Sequence, residues 1–124
     1  MVIQSYRALK VWQKAMELVV ACYEFTKRLP ETEVFGLTSD IRRRVRQIPS
    51  AIADGHGRGN TSEYLSRLPF AHGTLMALET DLLTVNQLGF LPLSEVEPLL
   101  QQRAELGKML HGLMRSLRSG RPDS

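Results

Sequence analysis

Residues 37–59 read LTSDIRRRVRQIPSAIADGHGRG, and this stretch decides the fold. Its branched apolar residues recur at steps of four, three and four positions, the spacing of one helix face: Ile41, Val45, Ile48 and Ile52. Four arginines fall within five positions of the same segment: Arg42, Arg43, Arg44 and Arg46. Pro49 is expected to kink the helix, and the small residues after it favour close packing. The stretch therefore predicts a helix with an apolar stripe, a basic surface and a close-packing surface.

The segment before this stretch predicts a first helix from about Leu9 to Leu29, which Pro30 ends. Apolar residues recur along it at helical period. Cys22 lies on or near that stripe, so its thiol is expected to be buried and inert. A short connection follows, and Thr38 or Ser39 is the candidate cap of the second helix, unless Gly36 and Leu37 are already helical.

Two more helices follow the quoted stretch. Asn60 and Glu63 predict a capping box for the third, and Pro69 is expected to kink it without breaking it. Its apolar stripe is unbroken: Tyr64, Leu68, Ala71, Leu75, Leu78, Leu82 and Val85. Ser94 and Glu97 predict a second capping box. The fourth helix then has a heptad-like seam in which Arg103 is the polar exception: Val96, Leu99, Leu106, Leu110, Leu113 and Leu117.

Four amphipathic helices with short connections predict an all-α fold, an up-and-down antiparallel four-helix bundle. Residues 1–118 are predicted to form this single domain, and residues 119–124 a polar C-terminal tail. The apolar stripes are wide for lone helix pairs. Together with the small residues of the second helix, they favour assembly as a homo-oligomer.

The composition is that of an ordinary globular domain. The 124 residues are 43% hydrophobic and 23% charged, with a net charge of +3. Twelve of the 16 basic residues are arginine, whose planar fork suits phosphate and carboxylate, although arginine is also a good helix former. Charges interrupt every apolar segment, so neither a signal peptide nor a membrane span is expected. The protein is expected to be cytoplasmic.

The sequence contains no pattern typical of an enzyme. A di-iron site in a helical bundle needs glutamate followed by histidine three positions later, and no such pair occurs. The three histidines, at positions 56, 72 and 111, fall on different helices or helix ends, so we expect no metal and no cofactor. The glycines from Gly55 to Gly59 lack the strand and the Lys-Ser/Thr of a phosphate-binding loop. No small-molecule substrate is expected.

The arginines of the quoted stretch are the remaining chemical signal. Glu79 comes directly after Leu78, which lies on the buried stripe of the third helix. A buried carboxylate needs a partner, and Arg42 or Arg43 is the candidate. We expect Arg44, Arg46 and Arg58 to face outward. An ordinary solvated, ion-paired face remains the alternative to a nucleic-acid surface.

Several segments together resemble one known family, the 23S rRNA intervening-sequence proteins. The resemblance covers Tyr6 to about Leu117 and rests on an ordered set of motifs: LKVWQKAM at 9–16, FGLTS at 35–39, RR at 42–43, IPSAIADG at 48–55, GR at 57–58, LET at 78–80 and LGFL at 88–91. Asn is usual in the family where Ala51 stands, Glu where Asp54 stands and an aromatic where His56 stands. Pro69 is also unusual.

The resemblance implies a four-helix bundle that assembles as a homopentamer. Some family members are encoded inside large-subunit rRNA genes, and related accessory proteins of retroelements bind nucleic acid and a reverse transcriptase. Family likeness therefore favours RNA, DNA or a ribonucleoprotein as partner.

Two functional hypotheses follow from the sequence. The first is a non-enzymatic oligomeric scaffold that binds RNA or DNA non-specifically through Arg42, Arg43, Arg44, Arg46 and Arg58. The alternative is a protein-interaction module without nucleic-acid affinity, in which these arginines serve folding and subunit contacts. The salt dependence of nucleic-acid binding separates the two.

Overall fold

The computed structural model of the chain describes residues 5–120, which form four α-helices and no strand. The helices are α1 (Lys10–Thr26), α2 (Leu37–Gly57), α3 (Thr61–Gln87) and α4 (Leu93–Arg118), with short 3-10 turns at Tyr6–Ala8 and Glu31–Glu33. Each helix packs against its neighbours in sequence, and α1 closes the arrangement against α4. The predicted all-α four-helix bundle is confirmed. Part of the predicted polar tail, residues 121–124, lies outside the described residues.

One core runs through the bundle and contains side chains from all four helices. The apolar stripes predicted for α2 and α3 are buried along their whole length. In α4 the prediction was partly wrong, because Met114 is buried whereas Leu113 and Leu117 are only partly buried. The seam of α4 therefore turns slightly away from a strict heptad towards its C-terminal end.

The residues that cap the helices were predicted less well than the buried faces of the helices. Asn60 caps α3 as predicted, since its side-chain oxygen accepts a hydrogen bond from the Glu63 N–H at 2.8 Å. At the start of α2 the cap is different: the Glu33 carboxylate, not Thr38 or Ser39, accepts the Leu37 N–H at 3.2 Å. The second capping box was wrong, because α4 begins at Leu93 with Pro92 before it and no side-chain cap.

Prolines lie inside three of the helices without ending them. Pro49 lies within α2, Pro69 within α3 and Pro98 within α4. A proline removes one backbone hydrogen bond, and the burial of a continuous apolar stripe outweighs that loss. The prediction that Pro49 and Pro69 do not break their helices is confirmed.

The most extensive helix contact is that of α2 with α3, and Gly55 lies where the two helices approach closely. A Cβ atom at this position would stand 3.0 Å from the Cβ of Arg67 and 3.1 Å from a ring carbon of Tyr64. Those atoms belong to α3, and the Arg67 Cβ is fixed to its backbone. The absence of a side chain at Gly55 therefore sets the distance between the two helices.

Gly55→Leu is expected to lower the free energy of unfolding by about 1–3 kcal/mol, because the added side chain overpacks the α2–α3 contact. Gly73→Leu is the matched control, since no heavy atom lies within 4 Å of a Cβ built at Gly73. That variant should gain up to about 1 kcal/mol from helix propensity. Urea denaturation followed by circular dichroism measures both. Equal stabilities for the two variants would contradict the close approach.

Candidate nucleic-acid interface

Arg42 binds α1 and does not point towards solvent. Its Nε donates to the hydroxyl of Thr26 at 2.8 Å, and its Nη2 donates to the Tyr23 carbonyl at 3.3 Å. The guanidinium carbon also lies 4.6 Å from the centre of the Tyr23 ring, within the range of a cation–π interaction. Arg42 therefore joins α2 to α1.

Arg43 and Arg44 are both paired with aspartates, but in different surroundings. Arg43 is exposed and bonds Asp40 on its own helix at 2.9 Å. Arg44 reaches across to Asp81 on α3 at 2.5 Å, where the two side chains are only 29% and 13% exposed. Such a half-buried pair fixes helix positions, since removing either charge leaves the other poorly solvated. The expectation that Arg44 faces outward was wrong.

The predicted partner of Glu79 was also wrong. Glu79 pairs with Arg103 of α4 at 2.9 Å, and Arg103 is only 12% exposed. Glu79 faces α4, whereas Arg42 faces α1, so the two cannot meet. Arg103 was visible in the sequence as the polar interruption of the α4 seam, which is the signal that identifies it as the partner.

Arg46 and Arg58 are the exposed arginines of the predicted set that lack a tight ion pair. The Nε of Arg46 donates to the Arg42 carbonyl one turn earlier, and no acidic side chain among residues 5–120 pairs with it. Arg58 lies 3.5 Å from Asp54 and 3.6 Å from Glu63, both loose contacts.

A hydrogen bond from Arg67, together with the charges of Arg67 and Arg58, lowers the pKa of the Asp54 carboxyl.

The structure brings together a group of cations that the sequence analysis did not single out. The first turn of α1 and the last turns of α2 and α4 meet at one end of the antiparallel bundle. We call the exposed cations there the basic end: Arg7, Lys10, Arg58, Arg115 and Arg118. Lys10 and Arg115 line one groove between α1 and α4, of about 510 Å³.

Four of the five basic-end cations have no acidic partner within the described part of the chain: Arg7, Lys10, Arg115 and Arg118. The other end of the bundle carries acidic side chains in its two loops and the adjoining helix ends: Glu31, Glu33, Asp40, Glu95 and Glu97. Lys27, Arg28 and Arg43 also lie at that acidic end, and Asp54 and Glu63 lie at the basic end, so the two ends differ in net charge and not in the sign of every side chain. Of the five arginines predicted from sequence, Arg58 alone belongs to the basic end.

Cys22 and a pair of histidines carry other titratable groups of interest within residues 5–120. Cys22 is buried as predicted, and burial raises the pKa of its thiol to about 12. The rings of His72 on α3 and His111 on α4 lie 4.2 Å apart, a pairing the sequence analysis did not expect. Within residues 5–120, no three histidine, cysteine or carboxylate side chains lie together as metal ligands would.

No helix in the described part of the chain has both the length and the apolar character needed to cross a membrane.

Comparison with known proteins identifies one family. The profile of the 23S rRNA-intervening sequence proteins matches residues 7–112, which is most of the chain and includes parts of all four helices. The search of curated proteins gave no match.

Arg44→Gln is expected to lower the free energy of unfolding by about 1–3 kcal/mol, because Asp81 is left as a poorly solvated carboxylate. The matched control is Arg43→Gln, whose exposed pair with Asp40 should contribute less than about 1 kcal/mol. Adding Asp81→Asn to Arg44→Gln should recover part of the loss. Urea denaturation at pH 7 measures all three variants, and similar losses for Arg44→Gln and Arg43→Gln would contradict the assignment.

The His72–His111 pair is expected to make stability fall in mildly acidic solution. Burial, the nearby His111 and the charge of Arg103 lower the pKa of His72 in the folded protein. The unfolded chain, with a histidine pKa near 6.5, therefore binds the proton more readily, and stability is lost as pH falls through about 6.5.

Urea midpoints at pH 7.5 and 5.5 measure this effect. His72→Gln should reduce the difference between the urea midpoints at the two pH values. Parallel pH profiles for the wild type and His72→Gln would contradict the role of the pair.

Proposed function

Because the chain belongs to the 23S rRNA-intervening sequence protein family, we propose that it is a non-enzymatic, oligomeric helical scaffold that binds RNA or DNA in the cytoplasm. The basic end is the surface that makes this contact. Its cations bind the phosphate backbone, so binding depends on charge and shape rather than on base sequence.

The observation that carries this proposal is the set of basic-end cations without acidic partners. A cation already paired with a carboxylate gives up that pairing when it binds phosphate, whereas an unpaired one only loses water and counterions. Arg7, Lys10, Arg115 and Arg118 are in the second class. The guanidinium of arginine also donates two parallel hydrogen bonds to two phosphate oxygens at once, which favours arginine over lysine at such a surface.

Oligomerisation would multiply this contact. A few cations on one subunit give weak binding at physiological salt, but several copies of the basic end in one assembly act on the same strand. The family resemblance favours a pentamer. In such an assembly each subunit would contribute one basic end.

A protein-interaction module is the second candidate, and one observation favours it. Phe35, in the connection between α1 and α2, is 95% exposed, and the neighbouring Val34 is also exposed. An exposed aromatic residue of this kind is typical of a protein interface. This alternative predicts no nucleic-acid affinity.

Binding of a labelled RNA of about 30 nucleotides, measured by fluorescence anisotropy between 50 and 300 mM salt, tests the proposal. The wild type should bind at low salt and lose affinity steeply as salt rises. The triple variant Lys10→Gln, Arg115→Gln, Arg118→Gln should bind more weakly at every salt concentration. Its slope of log affinity against log salt should be smaller by about 2, since each lost phosphate contact removes about 0.7 for single strands.

The matched control removes three positive charges from the opposite end: Lys27→Gln, Arg28→Gln and Arg43→Gln. It changes the net charge equally and should keep most of the wild-type slope. The proposal would be abandoned if the wild type did not bind at 50 mM salt, or if the control lost as much affinity as the basic-end variant. The first result would favour the interaction module.

A further inference from the structure

The turn between α1 and α2 holds Phe35 in solvent. The Val34 N–H donates to the Glu31 carbonyl at 3.1 Å, and the Gly36 N–H donates to the Glu33 carbonyl at 3.0 Å. The side chain of Phe35 is nevertheless 95% exposed. Solvation of a whole phenyl ring on an ordered turn is unfavourable, and an interface would remove that cost.

A groove on the outer side of α1 and α2 has the character to receive such a ring. It measures about 390 Å³, and its lining is mainly apolar: Trp12, Met16 and Val19 of α1, with Pro49 and Ala53 of α2. Tyr6 packs edge-on against Trp12, with ring centres 5.2 Å apart, and so holds the indole in place. Aromatic and methionine side chains of this kind form the anchoring pockets of protein interfaces.

The charges beside the ring and the groove are complementary. Arg46 lines the groove, and no carboxylate among the described residues pairs with its guanidinium. Glu31 and Glu33 stand within four positions of Phe35, and Glu31 is exposed. A ring seated in the groove would bring a carboxylate close to Arg46, and the guanidinium close to the ring face.

The ring and the groove of one chain cannot meet each other. Pro49 lies fourteen positions after Phe35, and α2 occupies nearly all of that interval. At 1.5 Å per helical residue, the two lie roughly 20 Å apart. The partner must therefore be a second molecule.

We propose that Phe35 of one subunit inserts into the α1–α2 groove of a second copy of this chain, with Glu31 of the first facing Arg46 of the second. The inference rests on the oligomer of the proposed function and assigns its interface. The two contacting surfaces differ, so the contact is heterologous, and repetition about a rotation axis closes a ring.

Sedimentation equilibrium and the emission of Trp12, the single tryptophan of the chain, test the contact. Phe35→Ser should raise the subunit dissociation constant about 30-fold or more, since buried aromatic anchors contribute at least about 2 kcal/mol. Trp12 emission should shift to longer wavelength on dilution of the wild type. The Trp12 emission of the Phe35→Ser variant should have this longer wavelength even at concentrations at which the wild type is assembled.

Two controls separate the contact from effects on folding. The Phe35 ring is exposed in the single chain, so Phe35→Ser should keep the wild-type urea midpoint measured at low, dissociated concentration. Leu88→Ser removes an exposed apolar side chain from the α3–α4 connection, which does not line this groove, and should leave assembly unchanged. Arg46→Glu should weaken assembly as Phe35→Ser does, and the double variant Arg46→Glu, Glu31→Arg should recover it.

A photo-crosslinking amino acid, p-benzoylphenylalanine, in place of Phe35 locates the partner surface. Mixtures of isotope-labelled and unlabelled chains should give crosslinks between copies, to peptides containing Met16 or Pro49. Crosslinks confined to other segments, or an unchanged mass for Phe35→Ser, would overturn the inference and leave oligomerisation standing. A wild-type mass of 14.0 kDa at high micromolar concentration would overturn both. RNA binding is judged by its own titration, so its failure alone leaves the contact intact.

Discussion

The close antiparallel contact between α2 and α3 is the constraint on which the rest of the structure depends. At one end of this contact Gly55 lets the helices approach, because a side chain there would meet Arg67 and Tyr64. Towards the other end, Arg44 and Asp81 join the same two helices through a half-buried ion pair. Two fixed points of this kind set both the separation and the rotation of α2. The direction of every other side chain on α2 follows from them.

The arginines of α2 separate into different roles for this reason. Successive residues of a helix differ by about 100° in direction, so neighbouring arginines cannot share one surface. Arg42 joins α2 to α1, Arg44 joins it to α3, and Arg43 pairs along its own helix. A cluster that is dense in sequence is therefore divided among three environments. Arg46 instead lines the groove between α1 and α2.

The candidate functional surfaces of the bundle are its ends and one outer groove. The up-and-down topology places the first turn of α1 beside the last turns of α4, so that cations more than a hundred positions apart, such as Lys10 and Arg115, line one groove. The same topology gathers Glu31 and Glu95 at the opposite end. The proposed phosphate contact and the proposed subunit contact therefore use different surfaces of the bundle.

The sequence alone determined the four helices, the buried stripes of α2 and α3 and the cap at Asn60, because hydrophobic periodicity and side-chain caps depend on residues three or four positions apart. The family resemblance was likewise recognisable from the sequence motifs alone. Only the tertiary structure decided that Glu79 pairs with Arg103 and that Arg44 is half-buried. Those outcomes depend on how each helix is rotated about its axis, which is set by packing between segments distant in sequence. The basic end has the same origin, since its cations become neighbours only when the four helices assemble.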